Sequence, residues 1–228
     1  MNIAIIPARG GSKRIPRKNI IDFCGKPMIA WSIEAALSAD IFERVIVSTD
    51  DDEIAEISKE YGAEVPFKRP QDIADDHTGT IDVIEHSAAE LIKSNANIKN
   101  ICCIYATAPL LFVNDLIKGY EVLRDSKFEY VFAATEYSYP IQRSFFINNE
   151  KNLEMFYPEN FEARSQDLVK AYHDAGQFYW GKLETWLNKK KVFTNKSKPI
   201  FLPNYRVQDI DNFDDLAKAE LIFNMVKQ

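Results

Sequence analysis

Short apolar runs and longer amphipathic stretches alternate along most of this chain. Residues Asn2–Pro7 (NIAIIP) and Arg44–Ser48 (RVIVS) are nearly unbroken apolar runs, the mark of strands buried on both faces. Residues 100–105 (NICCIY) and 130–135 (YVFAAT) read the same way. Between these runs, apolar positions take roughly helical spacing over 26–39, 50–61, Thr80–Lys93 and 113–125. Acidic residues fill the first turn of the 50–61 helix, where the helix dipole favours them, and Gly62 is a natural stop. A short strand is expected at 64–67. The alternation breaks between about 136 and 171, where Tyr137, Tyr139, Phe145, Phe146, Phe156, Tyr157 and Phe161 mix with Asn, Pro and Glu. It resumes with a strand at 177–180, a helix over 182–188, a strand at 199–202 and a helix over Phe213–Val226. Strands alternating with helices predict an α/β fold, a mostly parallel sheet with helices on both faces. Such sheets bind ligands at the carboxyl ends of their strands. The expectation is a single domain over 1–228, with a small insert at about 136–171. Its density of aromatics suits a dimer interface or a cover over substrate.

Composition narrows the classes. Of 228 residues, 46% are hydrophobic and 27% charged, an ordinary globular balance. A formal net charge of -6 argues against nucleic acid or anionic membrane as partners, since both need a positive face. The apolar start is too short for a signal segment, and no run approaches bilayer length. Three cysteines, Cys24, Cys102 and Cys103, are odd in number, and two are adjacent, so no disulfide or zinc framework is expected. A reducing cytoplasm is the matching compartment.

Against this acidic background the loop after the first strand, PARGGSKRIPRKN, is basic. Arg9, Lys13, Arg14, Arg17 and Lys18 fall within ten residues. Gly10 and Gly11 let backbone N–H groups approach a ligand closely. Amides plus clustered cations make a polyphosphate cradle. The spacing is neither a Walker A loop nor GxGxxG. A solvated basic loop is the plain alternative; its place after the first strand of a parallel sheet favours phosphate.

Near the C-terminus stands YRVQDIDNFDDLAKAE. On a strand Asp209 and Asp211 would project to the same side. Two carboxylates so placed can hold Mg2+, which keeps water and substrate phosphate for its other positions. The alternative is turn formation and helix capping. Asp214 and Asp215 belong to the first turn of the last helix.

PARGGSKRIPRKN, VIVSTDDDEIA, YGAEVPFKRP, TAPL and QDID, in this order, resemble the cytidylyltransferases that make CMP-activated nonulosonic acids. IYATAPL, MFYPENFEARSQDL and AYHDAGQFYWG are closer to the pseudaminic acid branch than to the sialic acid branch. The resemblance implies a Rossmann-like nucleotidyltransferase fold, a homodimer, CTP, Mg2+ and an acidic nine-carbon sugar. Carried over by position, Arg9, Gly11, Ser12, Lys13 and Lys18 contact the triphosphate. Asn19, Arg69 and Thr80 contact ribose or cytosine, and Asp209 and Asp211 hold the metal. Lys18 offsets charge on the leaving pyrophosphate, and Asp211 is the leading candidate for general base. Tyr105 and Thr107, in the loop after the third long strand, face the acceptor. Arg143 or Arg164 would clamp the sugar carboxylate, with an interface salt bridge as the alternative for each. Gln166, Asp167, His173, Asp174 and Gln177 would meet its hydroxyl and acetamido groups. His77 and His86 are structural. Legionaminic and sialic acids stay open as acceptors. A sugar-1-phosphate nucleotidyltransferase and a non-catalytic nucleotide sensor are the rival readings.

Overall fold

The computed structural model describes residues 1–93 and 97–226. The chain opens on β1 (Asn2–Pro7), then a tight hairpin of β2 (Asp22–Phe23) and β3 (Lys26–Pro27). Cys24 (φ 51°) and Gly25 (φ 90°) form that hairpin's two-residue turn, where positive φ at both positions matches the strand twist. There follow α1 (Met28–Ser38), β4 (Arg44–Ser48), α2 (Asp52–Glu60), α3 (Thr80–Lys93), β5 (Asn100–Ile104), α4 (Val113–Arg124) and β6 (Tyr130–Glu136). A small hairpin, β7 (Phe145–Ile147) and β8 (Leu153–Met155), stands outside the main sheet. The chain ends through β9 (Tyr172–Lys182), α5 (Leu183–Leu187), β10 (Ser197–Phe201) and α6 (Phe213–Val226).

The main sheet has the order β10-β6-β9-β5-β1-β4. β9 runs antiparallel to both neighbours, and the other pairings are parallel. Alternation within β1 shows why both faces are covered. Ala4 and Ile6 pack with Ile33, Ile54 and Leu116 on one face. Ile3 and Ile5 pack with Ile84, Leu91 and Trp186 on the other. The expected α/β sheet with helices on both faces is therefore present.

Four expectations need correction. Residues 64–67 are not a strand: only Ile46 and Glu64 bridge, and Pro66 has no N–H to extend a ladder. The strand expected at 177–180 runs over 172–182, so His173 and Asp174 lie inside it. Its polar start hid its length, and the pairing with β6 shifts register between Phe132 and Ala134. The helix expected from 50 begins at Asp52, because Asp51 caps it, its side chain accepting from the Ile54 N–H at 3.0 Å. Asp209 and Asp211 lie on a loop and not on a strand.

Candidate active site

The parallel strands all end at one edge, so the basic loop after β1, the turn after β4 and the loop after β5 converge there. A cleft of about 250 Å³ opens between them. Arg9, Ser12, Lys18 and Asn19 line it from the basic loop. Arg69 and Thr80 line it from the far side, and Tyr105 and Thr107 from the loop after β5. Two residues from late in the chain complete the edge: Gly176 of β9 lies against Asp209, whose carboxyl carbon is 3.8 Å from where a Gly176 Cβ would stand.

A third apolar cluster fixes the two charged loops relative to each other. Ile15 of the basic loop and Ile210, between the two aspartates, are both buried with Phe23, Met28, Leu216 and Phe223. With Ile210 buried, its neighbours Asp209 and Asp211 stay outside the core, although the segment forms no strand. The last helix is capped reciprocally: the Asp215 N–H donates to Asn212 Oδ1 at 2.9 Å, and Asp215 Oδ2 accepts from the Asn212 N–H at 3.2 Å. The same oxygen accepts from the Asp211 N–H at 3.0 Å, which ties the loop to α6. Asp215 thus has the structural role expected of it.

Lys18 Nζ donates to the Ile210 carbonyl at 2.6 Å and lies 3.4 Å from Asp211 Oδ1. Arg14 donates to that same Asp211 oxygen at 2.7 Å. Asp209 is exposed on its loop but partly enclosed by protein. That enclosure, and then the charge of Asp211, raise its carboxyl above the usual range, with Lys18 opposing. Both aspartates offer carboxylate oxygens, and among the described residues no third acidic, His or Cys side chain joins them in a closed metal cage. That donor set suits a hard divalent ion completed by phosphate and water.

Arg69 is 4% exposed, and its guanidinium donates to the Ser48 carbonyl and, at 3.2 Å, to Ser48 Oγ. Burial lowers its pKa to about 10, with Asp50 opposing, so it remains a cation at neutral pH. Asn19 closes the loop on itself, Nδ2 donating to the Arg9 carbonyl at 2.9 Å. Thr80 Oγ1 and Tyr105 Oη are 3.4 Å apart, and burial raises the Tyr105 phenol. Gly11 and Lys13 sit on the loop's exposed side, and Lys13 pairs with Asp76.

Asp75 and Asp76 were not legible as site residues. They line the cleft, and Arg9 meets both: Nη1 donates to the Asp75 carbonyl at 2.6 Å and is 2.6 Å from Asp76 Oδ1. Asp75 holds the loop's shape, accepting from Thr78 Oγ1 and the Thr78 N–H at 2.7 Å each. DD before a helix reads as capping, and only the fold brings it to the basic loop.

On β9, Gln177 is 3% exposed, and its Oε1 is buried without a hydrogen-bond partner among the described residues. Asp174 accepts from the Gly176 N–H at 2.9 Å and from the Tyr179 hydroxyl. Burial raises the Asp174 carboxyl. His173 is exposed, 4.6 Å from the Tyr137 ring. The insert residues do not join the cleft. Arg143 donates to the Ala163 carbonyl at 2.6 Å, Arg164 pairs with Asp167 at 2.7 Å, and Gln166 is exposed.

A family model described as cytidylyltransferase matches residues 3–217. A pseudaminic acid cytidylyltransferase of Campylobacter jejuni is 46% identical, covering 98% of this chain and 97% of that one. A Helicobacter pylori protein named as pseudaminic acid cytidylyltransferase and UDP-2,4-diacetamido-2,4,6-trideoxy-beta-L-altropyranose hydrolase is 38% identical over 92% of this chain and 40% of its own length. Among solved structures, a CMP:2-keto-3-deoxy-manno-octonic acid synthetase complexed with CTP superimposes with a TM-score of 0.72 over 98% of both chains at 17% identity, a likeness of fold. The family match spans the cleft residues from Arg9 to Thr107 and the Asp209–Asp211 loop beyond them, and the chain belongs to the cytidylyltransferase family.

Proposed function

We propose that the protein transfers CMP from CTP to the anomeric hydroxyl of a nonulosonic acid, pseudaminic acid first, and releases pyrophosphate. The observation that carries this reading is the meeting of Lys18 with Asp211, 193 residues away, at the strand ends. A cation for phosphate beside a carboxylate for a metal suits an edge at which a polyphosphate is worked on. The C. jejuni relative's name supports cytidine and the acceptor.

In this reading Arg9, Ser12, Lys13 and Lys18, with the Gly11 amide, hold the triphosphate. Lys18 is aimed by the Ile210 carbonyl and offsets charge growing on the departing pyrophosphate. Asn19, Arg69 and Thr80 hold the nucleoside. Asp209 and Asp211 would hold Mg2+, which when bound would neutralise phosphate charge and polarise the α-phosphate. Asp211 already serves Arg14 and Lys18, which favours charge holding over proton removal as its role. Tyr105, Thr107 and Gln177 line the acceptor side, and the unpartnered Gln177 amide oxygen gives a hydroxyl or amide N–H something to meet. His173 and Asp174 stand beside it on β9.

The insert serves a homodimer in this reading. Tyr139 (84% exposed), Phe161 (70%) and Phe156 (58%) are too apolar for a free surface of this extent. Arg143, Arg164, Gln166 and Asp167, distant from their own cleft, would then meet the partner's sugar. The three unpaired thiols support a reducing, cytoplasmic setting. Among the described residues no helix is long and apolar enough to cross a membrane. Pyrophosphate release with CTP and pseudaminic acid tests the proposal; turnover only with a sugar phosphate, or only with another nucleotide, would overturn it.

A further inference from the structure

Arg17 belongs to the basic loop by sequence but does not line the cleft. Its guanidinium turns to the start of α2, where Nη1 donates to Asp51 Oδ2 at 2.5 Å and Nη2 to Asp51 Oδ1 at 2.9 Å. Nη2 also donates to Glu53. Its backbone is left-handed, at φ 57° and ψ 29°, a conformation costly for a residue with a Cβ. From there its carbonyl accepts from the N–H groups of Ile20 at 2.9 Å and Ile21 at 3.0 Å. Those bonds close the single turn that begins at Lys18. The other end of the loop is fastened to the same place. The Gly10 N–H donates to Asp50 Oδ1 at 3.0 Å, and a Cβ on Gly10 would stand 2.7 Å from Asp51 Oδ2.

We propose that Arg17 is not a phosphate ligand but the positioning residue for Lys18. The fork to Asp51 pins the backbone inversion, and the inversion turns Lys18 and Asn19 into the cleft. A bidentate guanidinium does this where a lysine, with one point charge, would hold less firmly. The inference rests on the role given to Lys18 above.

The test measures single-turnover pyrophosphate release for wild type, Arg17→Met, Arg17→Lys and Lys18→Ala, and for Arg17→Met combined with Lys18→Ala, alongside CTP affinity and thermal unfolding. In Arg17→Met the rate falls roughly tenfold to a hundredfold, the range for a slightly misplaced reacting group. CTP affinity falls less, and Arg17→Lys recovers part of the rate. In the Lys18→Ala background, adding Arg17→Met changes the rate by less than about twofold, because the two act as one unit. Equal losses in both backgrounds, or an Arg17→Met rate within about twofold of wild type, would overturn the inference. If Arg17→Met does not fold, Arg17→Lys is judged by the same comparison. Wild-type protein that releases no pyrophosphate would overturn the parent reading and this inference with it; active wild type with indifferent Arg17 variants overturns this one alone.

Discussion

Lys18 carries the clearest residue-scale test. It is 18% exposed, held at the Ile210 carbonyl, and faces Asp211. Lys18→Ala should lower kcat roughly 100- to 1,000-fold, the cost of one charge-stabilising donor, with an unchanged circular dichroism spectrum. A near-normal kcat would remove it from the reaction. Asp211→Asn should raise the Mg2+ concentration for half-maximal rate by at least the roughly tenfold that follows from disturbing a metal-orienting group. An unchanged magnesium titration would put the ion elsewhere. Much of this scale was legible beforehand: a basic loop after a buried strand and a pair of aspartates each have a chemical reason. What stayed hidden were partnerships across the fold. Arg14 on Asp211, and Asp76 on Arg9 and Lys13, join residues far apart in sequence, and no spacing rule links them. By position Arg17 reads with the phosphate cations, but its guanidinium forks to Asp51 and does not line the cleft.

At the scale of elements, α2 supplies a pH prediction. The Asp51 carboxyl, caught by the Arg17 guanidinium, titrates at about 2 in the fold. In the unfolded chain a carboxyl of this kind titrates near about 3.9. The folded value is depressed, so the contribution is complete above the unfolded value and is lost as pH falls toward the folded one. The Tm advantage of wild type over Arg17→Met should therefore narrow as melts are taken from about pH 5 to about pH 2.5. A gap constant with pH would deny the coupling. Packing between α4 and β9 gives a second test. A Cβ on Gly119 would stand 2.8 Å from Trp180 Cδ1 and 2.9 Å from Phe178 Cε2, inside a buried layer. Gly119→Ala should cost about 1–3 kcal/mol by urea unfolding, the usual effect of overpacking; an unchanged midpoint would mean that α4 yields. Elements with strong apolar periodicity, such as Thr80–Lys93 and Phe213–Val226, were readable to the residue. β9 was only half readable, because its first residues are polar and its pairing partners come from elsewhere in the chain. The Asp209–Asp211 segment was expected as a strand and is a loop, with Ile210 buried between two aspartates that reach solvent.

For the whole molecule, the sheet order places every loop that matters on one edge, and the strand-helix alternation was enough to expect that. In the proposed homodimer the insert works through a second copy. Phe156→Asp combined with Phe161→Asp should convert a dimer to monomer by multi-angle light scattering, with acceptor affinity falling more than CTP affinity. A wild-type monomer at working concentration would remove the interface. The central claim is tested most directly by following pyrophosphate release from CTP with Mg2+ across a panel of pseudaminic, legionaminic and N-acetylneuraminic acids. The account predicts release with a free acidic sugar, fastest with pseudaminic acid, and a CMP-sugar product in equal amount. Release only with a sugar 1-phosphate, or CTP binding without release from any acidic sugar, would contradict it.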